Sequence, residues 1–240
     1  MKKHSLVHIY AVLLVFVGLL SFSQPALCNR IEEQLEKSDR LIEEDKPQSA
    51  AELLESILVN KKSEPVQLLE AVCKLSKVYS LYKEDYEAAT LGCLRLLENN
   101  LQEQYLAVCY ALLANFFADY FEQNIYDIGN NHSKGGPDFT KWNKETFQDT
   151  IWYYQLKSVE TAQNACQKTD VKVFEDILQD YSTVIGDVWL DDAQKHERVN
   201  LVKTLHQMLI CNAIEHEIIQ KTDTTSFDNS VYDVFKLAMK

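Results

Sequence analysis

Apolar positions recur every three to four residues over most of the chain, the period of an amphipathic helix. Ile31, Leu35, Leu41 and Ile42 mark one such stripe and predict a helix over Ile31 to Glu44. Pro47 then opens a second helix, with Ala50, Ala51, Leu54, Ile57 and Leu58 along one side. Proline fits a first helical turn because its missing N–H would have no intrahelical partner there. Pro65 repeats the device before a third helix, Leu68 to Tyr82. Lys83 to Asn100 predicts a fourth, begun near Asp85, and Leu101 to Asn124 a fifth. A long helix is expected from Trp142 or Lys144 to Gln167, a shorter one over Val171 to Tyr181, and another long one over Ala193 to Lys221.

Two inter-helix turns are alike. LIEEDKPQSAAELL and LYKEDYEAATLGCL each leave a helix, pass an acidic turn and enter a helix whose first turns carry small residues. Their offset of about 40 residues suits paired helices of tetratricopeptide type. The expected fold is all-α, a tetratricopeptide-like array of antiparallel helical hairpins over residues 31–221. TDTTSFDNS and the short segment after it make 222–240 a polar linker and C-terminal stub.

The fifth helix holds the densest aromatic stretch, ALLANFFADYFEQN. Leu113, Phe116, Phe117, Tyr120 and Phe121 share an arc roughly 140° wide, while Asn115, Ala118, Asp119 and Glu122 take the other side. So broad an arc predicts core packing against two neighbours rather than an exposed aromatic groove. The helical pattern then breaks over Ile125 to Trp142, which carries three of the six Gly and one of the four Pro. That loop is longer than most helix connections, and long ordered loops tend to carry function.

Composition is globular, 46% hydrophobic and 25% charged, and poor in Gly and Pro. The N-terminus is set apart. Lys2 and Lys3 precede an apolar run from Ile9 to Leu20 and then small residues, the order of a secretory signal peptide. A cut after Ser23 is expected, with Cys28 as the second choice. Leu27 is bulky where a lipoprotein leader needs a small residue, which argues against a lipid anchor at Cys28. The apolar run falls short of the about 20 residues that span a bilayer, so no membrane span is expected in the mature chain. The chain is therefore expected to be exported, periplasmic or extracellular. Losing two Lys and no acid moves the net charge from -12 to -14. A body so acidic repels phosphate backbones, which excludes nucleic acid as a natural partner.

Catalytic chemistry has little to rest on. His206 shares a helical face with Val199, Val202, Leu209 and Ala213, and His216 continues it. Ten residues of rise, about 15 Å, separate the two histidines, too far for one metal. His132 stands alone in the loop, and His196 and Glu197 point apart on a helix. Acidic neighbours such as Glu32–Glu33, Glu43–Glu44 and Asp191–Asp192 also diverge. A hydrolase would need several of His132, His196 and the acids to converge on a cleft. No Gly-rich phosphate loop or G-x-S-x-G turn occurs. Cys73, Cys93, Cys109, Cys166 and Cys211 sit within apolar helical patterns and show no C-x-x-C pair. They read as buried thiols, although export would permit disulfides. Asn131-His132-Ser133 forms a glycosylation sequon. The expectation is a chain that is not an enzyme, with no catalytic, cofactor-binding or metal residues. Its candidate interaction residues are Tyr126, His132, Phe139 and Trp142, in or beside the loop.

Several segments resemble a known family. DKPQSAAELLESIL, YALLANFFADYFEQN, PDFTKW, YYQLKSVE and FEDIL follow one another as in the N-terminal helical region of large exported bacterial alpha-2-macroglobulin-like proteins, those with MG2 domains. RVNLVKTLHQML fits that region's last helix in hydrophobic spacing. Asn124, Ile125, Tyr126 and Asp127 replace the family's Asn-Arg-aromatic run, and no thioester Cys-Gly-Glu-Gln motif occurs. The resemblance implies a helical leader domain that docks a protein partner, without protease trapping by this chain. The alternative expectation is a surface ligand- or glycan-binding protein using the 125–142 loop.

Overall fold

The computed structural model describes residues 30–174, 177 and 203–221. The leader with its cut sites at Ser23 and Cys28, residues 178–202 with Asp191, Asp192 and His196, the His216 side chain and the 222–240 tail lie outside the described residues. Among the described residues the structure is α-helical with short 3-10 turns and isolated bridges, and no strand forms. No described helix is long and apolar enough to cross a membrane. The span from 31 to 221 falls into two compact units, divided between Lys83 and Glu84.

The first unit holds α1 (residues 30–43), α2 (Pro47–Leu58) and α3 (Pro65–Ser80). Both prolines occupy first turns, as their fixed φ favours. The start of α3 is closed by a capping box, in which the Glu64 N–H donates to Gln67 Oε1 at 2.9 Å. Ala50, Ala51, Leu54 and Ile57 of α2 are buried, as are Leu69, Val72 and Leu75 of α3. The small residues of α2 let its backbone approach α3, against which it packs. Lys74 of α3 reaches Asp39 of α1 at 2.6 Å, and the Tyr79 hydroxyl donates to Glu55 of α2 at 2.6 Å.

The second unit is built around α5 (Glu103–Gln123). Against it pack α4 (Tyr86–Asn100), α7 (Lys144–Glu160), the single turn α8 (Gln163–Cys166) and α9 (Leu205–Lys221). The turn α6 (Ile125–Ile128) follows α5 directly. Phe116, Phe117 and Phe121 are buried, so the aromatic stretch is core. The other side of α5 is covered as well. Asn115 is buried, and its side-chain oxygen accepts from Asn212 of α9 at 3.3 Å.

The helix expected to run to Gln167 stops at Glu160. Thr161 is extended and Ala162 takes a left-handed conformation, φ 49° and ψ 37°, before α8 begins. The short helix expected from Val171 opens as a 3-10 turn, Val171–Phe174. His206 is buried beside Leu205 and Leu209, with its Nε2 3.3 Å from the Gln163 side-chain nitrogen. Burial lowers its pKa, so the neutral imidazole is favoured.

Candidate functional site

The loop after α5 is held by its own backbone and by one amide. Asn131 Nδ2 donates to the carbonyls of Thr140 at 3.0 Å and Trp142 at 3.2 Å. The Asn143 N–H donates to the Ser133 carbonyl at 2.8 Å, which ties the two ends of the loop together. Gly135 and Gly136 turn the chain at φ 113° and 114°, a region that side chains rarely adopt. The Trp142 indole N–H then donates to the Gly136 carbonyl at 3.0 Å. Asp138 caps the 3-10 turn Phe139–Lys141 by accepting from the Thr140 N–H, and the Lys141 ammonium beside it holds its carboxyl below the usual range. The sequon nitrogen of Asn131 is thus engaged within the loop, and a glycan there would replace one of its two N–H donors and break at least one of these bonds.

Under the loop lies a cluster of rings. Phe117 is central, stacked on Trp142 at 5.5 Å and on Tyr154 at 6.0 Å, with Phe116, Phe139 and Phe147 meeting it edge-on. Such edge and offset pairs add about 0.5–1.5 kcal/mol each beyond the area they bury. The loop is therefore anchored from beneath.

The four sequence-predicted residues separate in this frame. Phe139 is 5% exposed and belongs to the ring cluster, with Trp142 at 6.4 Å. Trp142 is half-buried, one face on Phe117. Tyr126, on α6, is 90% exposed, and His132 is exposed on the loop. Phe139 and Trp142 are thus brought together, and Tyr126 and His132 stand out in solvent.

A groove of about 580 Å³ runs from Trp142 along α7. Glu145, Asp149 and Tyr153 form one row of its floor, and Thr146, Thr150 and Tyr154 the next. Each row steps by four residues, about 6 Å along the axis. Arg95 of α4 and Lys134 of the loop supply the cations. The Arg95 guanidinium donates to the Tyr154 hydroxyl and to Glu98 at 2.6 Å. Burial pushes the Tyr154 phenol up to about 12, so it stays protonated. Sequence reasoning reached Trp142 and missed the rest of this groove. The two four-residue rows were readable, but nothing in sequence marks the cations as their walls.

Burial pushes the Cys109 and Cys166 thiols up to about 12 and about 11, which leaves them protonated and unreactive. Among the described residues no cluster of His, Cys, Asp or Glu is placed to hold a metal ion. Compared with known proteins, the chain matches no family model, no curated protein and no solved structure.

Proposed function

We propose that this chain is an exported, non-catalytic helical scaffold that docks a protein partner, its helices paired as tetratricopeptide-like hairpins. The observation that supports the reading is the exposure of Tyr126 at 90%, with Ile125 beside it at 40%, on a short helix between the ring cluster's central helix and an anchored loop. A large bare ring is the kind of residue that carries interface energy, because a tyrosine side chain has little conformational freedom to lose when it is covered. The leader sequence and the resemblance to the helical leader of alpha-2-macroglobulin-like proteins point the same way. On this reading the partner lies outside the cytoplasm.

The test is a photo-crosslinking amino acid at position 126 in the native host, with the exposed Glu52 position as control. A discrete protein adduct at 126, absent at Glu52 and recovered with the exported fraction, is the expected result. Equal labelling at both positions, or an adduct confined to the cytoplasm, would rule the docking surface out.

A further inference from the structure

The groove along α7 has a chemistry of its own that the docking reading does not use. Its volume, about 580 Å³, lies in the range of small-ligand sites. We infer that it binds a short, neutral oligosaccharide, stacked on Trp142 and Tyr153 and hydrogen-bonded by Glu145 and Asp149.

The charges decide the ligand class. A cationic ligand approaching the rings meets like charge, since Lys157 lies 5.7 Å from the Tyr153 ring centre and the Arg95 guanidinium 5.3 Å from that of Tyr154. Lys134 adds a further like charge at the wall. An anionic ligand meets Glu145 and Asp149 on the floor, neither of which has an ion-pair partner among the described residues, on a chain of net charge -12. A neutral ligand that carries many hydroxyls avoids both penalties.

The polar inventory suits such a ligand. Carboxylates accept from sugar hydroxyls, and the Lys134 ammonium donates to sugar oxygens. Thr150 Oγ1 donates its own proton to the Thr146 carbonyl, which leaves its lone pairs for a sugar O–H. The C–H face of a pyranose packs on an aromatic ring whose face is electron-rich. Tyr153 is 51% exposed, so part of its ring is open to such a contact. The 6 Å step between floor positions, as set by about 1.5 Å of rise per residue, gives successive sugar units successive polar partners.

The experiment uses neutral trisaccharides of glucose, N-acetylglucosamine, mannose and xylose as probes, with oligolysine and oligogalacturonate as charged controls. The readout is the NMR signal of the Trp142 indole N–H. At least one neutral trisaccharide is expected to shift it, and Tyr153→Ala and Asp149→Asn are each expected to weaken that binding about tenfold or more. Both sites are on the surface of α7, and the remaining amide signals report whether either variant stays folded. Tyr126→Ala leaves trisaccharide binding unchanged, so failure here and failure of the docking surface are distinguishable. The inference is overturned if no neutral trisaccharide moves the signal up to about 5 mM, if binding is indifferent to both variants, or if a charged control binds the groove more tightly.

Discussion

Phe117 has no exposed surface and stands against Trp142, Phe147 and Tyr154 of the α7 side and Phe139 of the loop. Phe117→Ala should therefore cost about 3–5 kcal/mol, a large part of a domain's stability. Denaturant titration checks this, and a loss under about 1 kcal/mol would show that the cluster collapses to fill the space. Asp119, two residues further, is a conflict that the sequence places but does not reveal. Its Oδ1 is fully buried with no hydrogen-bond partner, and desolvation, with Glu122 nearby, pushes its carboxyl up to about 7. Unfolded, the same group titrates near 3.8. Between those values the folded chain holds a proton that the unfolded chain has released, so stability falls as pH rises from about 4 to about 7 and is flat above. The residue is partly exposed, which reduces the effect to about 1–3 kcal/mol. Asp119→Asn should match the wild type at about pH 3.5 and exceed it by that amount at about pH 8. Parallel stability curves for the two proteins would refute this.

Elements were legible where a single apolar face met a start or stop signal. Pro47 and Pro65 fix the starts of α2 and α3, and the buried Ala50, Ala51, Leu54 and Ile57 of α2 are the residues its spacing marks. The end of α7 was not legible. Glu160, Thr161, Ala162 and Gln163 include no Gly or Pro, so nothing local stops the helix. The break is set by tertiary structure, as α8 turns back to pack on α5 and α9. The groove was illegible for a related reason. Its floor is one helix, but Arg95 comes from α4, 50 residues before Glu145, and Lys134 from the loop that folds back beside α7. The break leaves a mark that can be tested. Ala162 at φ 49° carries a Cβ where glycine is preferred. Ala162→Gly should raise stability by about 0.5 kcal/mol and Ala162→Val lower it by about 1 kcal/mol. Equal denaturation midpoints for all three would place the strain elsewhere.

At the scale of the molecule, the two units differ in how much core each can build. The first has α1–α3 over the described residues 30–83, and a body of about 60 residues or fewer buries only about 60% of its unfolded surface and is marginal in stability. Its polar ties are partly exposed, such as Lys74–Asp39 and Lys83–Glu55, and exposed ion pairs contribute little. The second unit surrounds α5 on several sides, with Leu112, Leu113, Phe117, Phe147, Ile151 and Leu209 fully buried. Local opening follows buried apolar contact, so the units should open at different free energies. Hydrogen exchange is expected to show α5 and α7 as the slowest amides, with α2 and α3 exchanging sooner. Mild denaturant should release α1–α3 while the Trp142 environment remains intact. Trp142 fluorescence and the exchange of α3 amides then report separate transitions, the second unit lying higher by about 1–3 kcal/mol. A single transition, with α3 and α5 exchanging at the same limiting free energy, would show that the division between Lys83 and Glu84 has no energetic counterpart.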